Sequence, residues 1–216
     1  MKYIIMCGGR YKFWEKPKQL TEINGEPLVA RTIRLLRECG VKDIAISSNN
    51  DAFEQFGVPV LKHDNDYYVV KYNDYYGSWC NAFYPTNEPT CYLLGDVVFS
   101  PEAIKTIVDT KTDDIMFFAS KKPFAPNYPK WHVEPFAFKV VDTEHLRRAI
   151  YKTKELERRG MFNRRPLAFE VWFVICGADP KENPEDIIDE KARNYVAIND
   201  YTCDIDFPNE EVEVSE

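Results

Sequence analysis

The sequence predicts an α/β fold, a three-layer α/β/α arrangement around a mixed, mostly parallel sheet, and three observations predict it. Short continuous apolar runs of strand length recur along the chain, the first at Tyr3 to Cys7. Such runs suit strands covered on both faces, since a half-exposed strand would alternate apolar and polar residues. Segments with helical periodicity separate the runs, as right-handed crossovers between parallel strands require.

Taken in order, the run Tyr3 to Cys7 stops at Gly8-Gly9, so the sheet begins with the first strand of the chain. After a basic loop, Pro27 sits at a first helical position and Val29, Ile33 and Leu36 recur at helical spacing. Arg37 lies in the last turn of that helix and Gly40 closes it. Asp43 to Ser47, Val58 to Leu61 and Thr90 to Leu94 read as the second, third and fourth strands. Ser100 can cap and Pro101 can open a helix that turns Ile104, Ile107 and Val108 inward. Ile115 to Ala119 and Phe136 to Val141 read as later strands. Asp142 caps a long charged helix to about Arg159, with Leu146, Ala149, Ile150 and Leu156 as its buried stripe and Gly160 as its stop. Pro166 to Cys176 carries both signals. Its aromatic and β-branched content favours strand, whereas Pro166 as opener and Gly177 as stop favour helix, the reading adopted. No repeat, low-complexity tract or linker interrupts the pattern, so one domain over residues 1–216 is expected, with a frayed end.

Composition narrows the function classes. With 44% apolar and 14% aromatic residues in 216, the chain can bury a sizeable core, which argues against disorder and coiled coil. No stretch approaches the ~18 apolar residues of a membrane span, and the first apolar run is too short for a signal peptide, so a cytoplasmic protein without a membrane partner is expected. Cys7, Cys39, Cys80, Cys91, Cys176 and Cys203 are scattered without zinc-ligand spacing and read as small buried hydrophobes. A net charge of −7 disfavours a nucleic-acid partner. The first twenty residues nevertheless hold Lys2, Arg10, Lys12, Lys16 and Lys18 against Glu15 alone. A local cationic loop in an acidic chain suits a small phosphate-bearing molecule.

Ligands of an open parallel sheet bind at the carboxyl ends of its strands, which makes the loop after the first strand a candidate site. Adjacent Gly8 and Gly9 let backbone amides approach phosphate oxygens or a base edge, and Arg10, Lys12, Lys16 and Lys18 can neutralise a triphosphate. A tight turn and a solvated loop would explain the glycines equally well. Leu94-Gly95-Asp96 sets an acid directly after a core strand, where it could hold Mg²⁺ or merely form a turn. In Cys203-Asp204-Ile205-Asp206-Phe207-Pro208, alternation puts Asp204 and Asp206 on one face, a costly placement without a cation between or beside them.

This ordered set resembles the sugar-phosphate nucleotidyltransferase superfamily. The set comprises strand, Gly8-Gly9, a basic loop ending Pro17-Lys18-Gln19-Leu20, Gly25-Glu26-Pro27-Leu28 at a helix start, Leu94-Gly95-Asp96 and Asp204-Ile205-Asp206-Phe207-Pro208. Compact bacterial cytidylyltransferases, such as the phosphocholine enzymes of surface-polysaccharide pathways, are the most similar members. The resemblance implies a Rossmann-like nucleotidyltransferase core. It implies that Cys7, Gly8, Gly9 and Arg10 form the nucleotide loop, with Lys18 and Arg10 catalytic and Lys18 on the α-phosphate. It implies Asp96 and Asp206 as Mg²⁺ ligands, with Asp204 the alternative for the second, and Gly77-Ser78 touching base or ribose. The implied partners are a nucleoside triphosphate, CTP favoured, a small phosphorylated acceptor and, in the homodimeric case, a second copy. Two departures are visible: the family's Ala-Ala-Gly-x-Gly-x-Arg loop is shortened to Met6-Cys7-Gly8-Gly9-Arg10-Tyr11, and Phe207-Pro208 stands for the commoner Thr-Pro.

The implied reaction is attack of an acceptor phosphate oxygen on the α-phosphorus of the triphosphate, which needs no general base. His63, His132 and His145 accordingly lie outside the motifs, and His132 beside Trp131 and Glu134 reads as structural ahead of an acceptor contact. Tyr67, Tyr68, Tyr72, Tyr75, Tyr76 and Trp79 could stack on a base or cage a quaternary amine, although packing explains most such residues. Lys121, Lys122, Arg164 and Arg165 are further candidates for the acceptor phosphate. A nucleotide-sugar-dependent glycosyltransferase of GT-A fold is the neighbouring alternative, weakened because Val97 and Val98 follow Asp96 where Asp-x-Asp would be expected. A non-catalytic nucleotide-binding protein is the other, weakened by the joint presence of Lys18, Asp96 and Asp206.

Overall fold

A computed structural model of the chain describes residues 1–8, 14–62, 80, 82–162, 166–179, 181–182 and 194–208. Seven strands form the central sheet: β1 (Lys2–Met6), β4 (Ile44–Ser47), β5 (Val60–Leu61), β6 (Thr90–Leu94), β8 (Ile115–Ala119), β9 (Pro135–Val140) and β10 (Tyr195–Ala197). Their spatial order is β10-β8-β9-β6-β1-β4-β5. β9 runs antiparallel to both its neighbours, β6 and β8, and the other pairings are parallel, which gives the mixed, mostly parallel sheet expected.

Helices cover both faces because successive side chains of a strand point to opposite sides. Tyr3 and Ile5 of β1 pack with Val29, Ile33 and Leu36 of α1 (Leu28–Glu38) and with Ile104 and Ile107 of α2 (Pro101–Asp109). Ile4 and Met6 meet Leu146 and Ala149 of α3 (Thr143–Arg158) and Phe169, Trp172 and Phe173 of α4 (Ala168–Cys176) on the other face. The caps follow the sequence. The Ser100 hydroxyl accepts from the Ala103 amide at 2.9 Å, and the Asp142 carboxylate from the His145 amide at 2.8 Å. Gly40 and Gly160 end α1 and α3 with positive φ, 79° and 65°.

Segment Pro166 to Cys176 resolves as a helix starting at Ala168, and its aromatic content reflects burial on all sides and no strand. Pro27 is not within the first helical turn. It ends a hairpin, β2 (Glu22–Ile23) with β3 (Glu26–Pro27), and α1 starts one residue later. The hairpin turn is Asn24-Gly25 with φ of 52° and 81°, the positive values a two-residue turn needs. A second antiparallel ribbon joins β7 (Val97–Val98) to β11 (Cys203–Asp204). Among the described residues no helix is long and apolar enough to cross a membrane.

Candidate active site

β1 and β6 are neighbours in the middle of the sheet and end side by side, Met6 opposite Leu94. Beyond β6 the chain turns at Gly95, whose amide donates to the Met6 carbonyl at 3.1 Å. A Cβ at this position would stand 2.6 Å from that carbonyl oxygen and 2.7 Å from the Cys7 sulfur, so the two strand ends close this tightly only around glycine. Gln19 packs on the same spot. The close approach therefore sets Asp96 beside the 3₁₀ turn Lys18–Leu20. There the buried Lys18 ammonium pairs with Asp96 Oδ2 and donates to the Ile205 carbonyl at 3.1 Å.

Ile205 belongs to a strap, residues 198–206, that is tied down along its length. The Ile198 amide donates to the Ala119 carbonyl at 2.9 Å, and Asn199 Oδ1 accepts from the Ala125 amide at 2.8 Å. Asp200 accepts from the Ser100 hydroxyl at 2.5 Å, and Thr202 Oγ1 accepts from the Ser100 amide at 3.0 Å. The ribbon then sets Asp204 opposite Val97, and the Ile205 amide donates to the Asp96 carbonyl at 3.0 Å. Cys203 and Ile205 are buried. Asp204 and Asp206 share the other face, as alternation predicts, and one ammonium reaches both: Lys130 Nζ lies 3.5 Å from Asp204 Oδ1 and 3.2 Å from Asp206 Oδ2.

A fourth segment supplies Glu134. β9 carries an extra residue opposite β8 at Phe118/Ala119, a bulge of the kind that re-aims side chains beside functional sites. Just before it, the Glu134 amide donates to the Ser120 hydroxyl at 2.7 Å and its carbonyl accepts from the Ser120 amide at 2.9 Å. Ser120 Oγ and the Tyr128 hydroxyl share a 2.8 Å hydrogen bond, and that hydroxyl donates to the His132 carbonyl at 3.0 Å. Glu134 Oε1 in turn contacts His132 Nε2. One oxygen from each of Glu134, Asp204 and Asp206 lies within 4.8 Å of the other two.

So many acids in one place perturb one another. Burial, with Asp204 and Asp206 alongside, pushes the Glu134 carboxyl up to about 9. Burial and the Asp96 charge push Asp204 up to about 7. Asp206 is also partly desolvated, but the Lys130 ammonium outweighs that and holds its carboxyl below the ordinary aspartate value. The residues fit a hard divalent cation on two counts. The donors are carboxylate oxygens, as Mg²⁺ favours, and the buried Asp204 Oδ1 accepts no hydrogen bond among the described residues.

Of the residues singled out from sequence, Lys18, Asp96, Asp204 and Asp206 come together here. Cys7 lies beneath them: its amide donates to the Ser47 carbonyl at 2.9 Å, and burial pushes its thiol well above the ordinary value. Gly8 follows it in the chain. Gly9, Arg10, Gly77 and Ser78 lie outside the described residues, as do the aromatic residues Tyr67, Tyr68, Tyr72, Tyr75, Tyr76 and Trp79 and the pair Arg164 and Arg165. Sequence reasoning missed Lys130 as a partner of the acids and Glu134 as a member of the cluster. No local pattern marks them, because residues 130–134 lie outside regular secondary structure, with bends at Trp131 and His132. His132, read as structural from the sequence, contacts Glu134.

Comparison with known proteins agrees with this fold. The profile of a family described as the MobA-like NTP transferase domain matches residues 3–167. Among solved structures, HddC from Yersinia pseudotuberculosis superposes with a TM-score of 0.52 at 15% identity, covering 96% of this chain and 94% of its own. Rv0371c from Mycobacterium tuberculosis H37Rv gives 0.50 at 16% identity, covering 95% and 92%. Both share the fold. The CTP:phosphocholine cytidylyltransferase LicC from Streptococcus pneumoniae gives 0.47 at 18% identity, covering 96% and 94%, an overlay that does not distinguish one base from another.

Proposed function

The chain belongs to the MobA-like NTP transferase family, a family of nucleotidyltransferases, and on that premise we propose that it transfers CMP from CTP to a small phosphorylated acceptor, releasing pyrophosphate. The observation that carries this reading is the meeting of Lys18, Asp96, Asp204 and Asp206, from three distant segments, at the carboxyl ends of β1 and β6. The choice of cytidine rests on the resemblance of this compact chain to bacterial cytidylyltransferases. On the same ground we place the reaction in the cytoplasm, in the making of surface-polysaccharide or capsule precursors.

In this mechanism an oxygen of the acceptor phosphate bonds to the α-phosphorus while the bond to the bridging oxygen breaks, and its electron pair leaves with pyrophosphate. The attacking phosphate is already ionised, so no residue has to remove a proton from it. Lys18 donates to an α-phosphate oxygen from a buried position, where its charge is little screened by water. Its pairing with Asp96 and the Ile205 carbonyl fixes the ammonium in place beforehand. Asp204 and Asp206 with Glu134, and Asp96 alongside them, would hold Mg²⁺. When bound, the ion supplies charge neutralisation along the triphosphate. Gly8, Gly9 and Arg10 cradle the phosphates in this reading, and Gly77 and Ser78 meet the base or ribose.

Pyrophosphate release tests the proposal, measured with each of the four ribonucleoside triphosphates and Mg²⁺ against a panel of small phosphorylated acceptors. Acceptor-dependent release with CTP, abolished in Asp96→Ala, is the expected result. Release with another triphosphate alone overturns the choice of base, and binding of triphosphates without turnover on any acceptor overturns the transferase itself.

A further inference from the structure

Two buried lysines serve the acid cluster, and they are held differently. Lys18 sits in a 3₁₀ turn and is anchored by a backbone carbonyl as well as by Asp96. Lys130 lies in the connection between β8 and β9, outside regular secondary structure, and its ammonium sits at the two carboxylates that a divalent ion would need. The next residue, Trp131, is 82% exposed, so the Lys130 backbone borders open surface. A lysine stem has four rotatable methylenes and can carry its charge out of a site without backbone movement. Mg²⁺ at Asp204 and Asp206 would stand against the Lys130 ammonium, and two cations this close in a buried site repel.

We propose that Lys130 is the resident cation of the acid cluster: it holds the place of the divalent ion in the metal-free protein, is displaced when the ion binds, and turns to a phosphate oxygen of a substrate. The arrangement solves a problem the fold creates. The β7–β11 ribbon and the bond from the Ile205 amide to the Asp96 carbonyl hold Asp204 and Asp206 close together, and without a counter-ion their mutual repulsion would oppose folding. Lys130 supplies that counter-ion until the metal arrives. It then provides a mobile positive charge where phosphates gather, either on the triphosphate or on the acceptor phosphate.

The inference rests on the reading of the cluster as a magnesium site, and the test separates the two. Mg²⁺ and Mn²⁺ are titrated calorimetrically, without nucleotide, into wild type, Lys130→Met, Lys130→Gln and Lys130→Arg, with metal-free melting curves to confirm folding. Removal of the internal competitor is expected to tighten ion binding by about tenfold in the Met and Gln variants, equivalent to about 1.4 kcal/mol. The Arg variant should bind as wild type does, and Mg²⁺ should raise the Tm of the Met and Gln variants more than that of wild type. Equal or weaker binding by those variants, beside a wild type that binds the ion, overturns the inference alone and makes Lys130 a fixed buttress. No binding by any of the proteins overturns the magnesium site and the inference together. At saturating Mg²⁺, affinity is then compared for a non-hydrolysable α,β-methylene triphosphate and for inorganic phosphate. A loss of about tenfold for one of them identifies the phosphate that Lys130 reaches; unchanged affinity for both overturns the second half of the proposal.

Discussion

The two edges of the same sheet bury lysines for opposite reasons. At the edge where the parallel strands begin, Lys139 lies on β9 opposite Cys91 and Met116 and is only 6% exposed. Its ammonium donates to the carbonyls of Ile107 at 2.9 Å, Val108 at 2.8 Å and Thr110 at 2.6 Å, which closes the C-terminus of α2. At the other edge Lys18 is 3% exposed and faces the Asp96 carboxylate. Burial is thus nearly the same, while the partners differ: three backbone carbonyls in one case, a carboxylate beside a single carbonyl in the other. Partners fixed in the backbone make a lysine a structural part, whereas a carboxylate that a metal can also satisfy leaves the lysine able to meet a phosphate and makes it part of a binding site.

The largest effect that would break this comparison is on activity. Lys18→Met and Asp96→Asn should each lower the rate of nucleotidyl transfer by 100-fold or more, roughly what losing one preorganised charge contact costs a transition state. Stability separates the edges further. Lys18→Met leaves the partly buried Asp96 carboxylate without this partner, at a cost of about 3 kcal/mol, and adding Asp96→Asn should recover most of it because both charges are then gone. Activity should not return in the double variant. Chemical denaturation beside turnover, on the same three proteins, checks both statements. A double variant no more stable than Lys18→Met would show that Lys18 is held by its bond to Ile205 and not by the ion pair.

No second substitution can perform that rescue at the other edge. Lys139→Met strands carbonyls that belong to the backbone, and the expected loss is about 2–3 kcal/mol, with turnover per folded molecule unchanged. A fall in turnover beyond the fall in folded fraction would mean that the end of α2 communicates with the site.

Gly95→Ala gives a gentler probe of the active edge. The added methyl would meet the Met6 carbonyl and the Cys7 sulfur well inside contact distance, so the ends of β1 and β6 must part. A cost of about 1–3 kcal/mol is expected from the overpacking. Because Asp96 moves with the strand end, the variant should also weaken Mg²⁺ binding, which calorimetry reads separately from stability.

How much of this was legible in the sequence follows the range of the signals. The caps of α2 and α3, the glycine stops and the strands β1 and β6 depend on residues a few positions apart, and the sequence carries them openly. Lys18, Asp96, Asp204 and Asp206 were found because each sits in a short motif at the end of an element. The ribbon that brings Asp204 to Asp96 was not. It is two residues on each side, joins positions 97 and 204, and contains nothing that distinguishes it from a loop. Glu134 was hidden for a related reason: its aim comes from a bulge in β9 and from bonds to Ser120, fourteen residues away, and neither leaves a local pattern. Lys130 followed from Asp206 only once the chain between β8 and β9 had been placed.

The smallest prediction isolates what burial adds to pairing. Arg34 donates to both oxygens of Glu26, from Nε at 3.0 Å and from Nη2 at 2.8 Å, a better hydrogen-bond geometry than Lys130 achieves with Asp204. The pair is nonetheless partly open to water, with the Arg34 side chain 40% exposed, and solvent screens it. The Arg34 hydrogen bond, ahead of the opposing desolvation, holds the Glu26 carboxyl below its ordinary 4.5. The unfolded chain therefore takes up the proton first as pH falls. The contribution of the pair is present in full above about pH 4.5 and disappears as the pH drops through the lowered folded value. Glu26→Gln should cost no more than about 1 kcal/mol at pH 7, and the difference from wild type should vanish in acid. A loss approaching that of Lys18→Met would mean that geometry, and not exclusion of water, sets the strength of charge pairs in this molecule, and the contrast between its buried and exposed cations would fall.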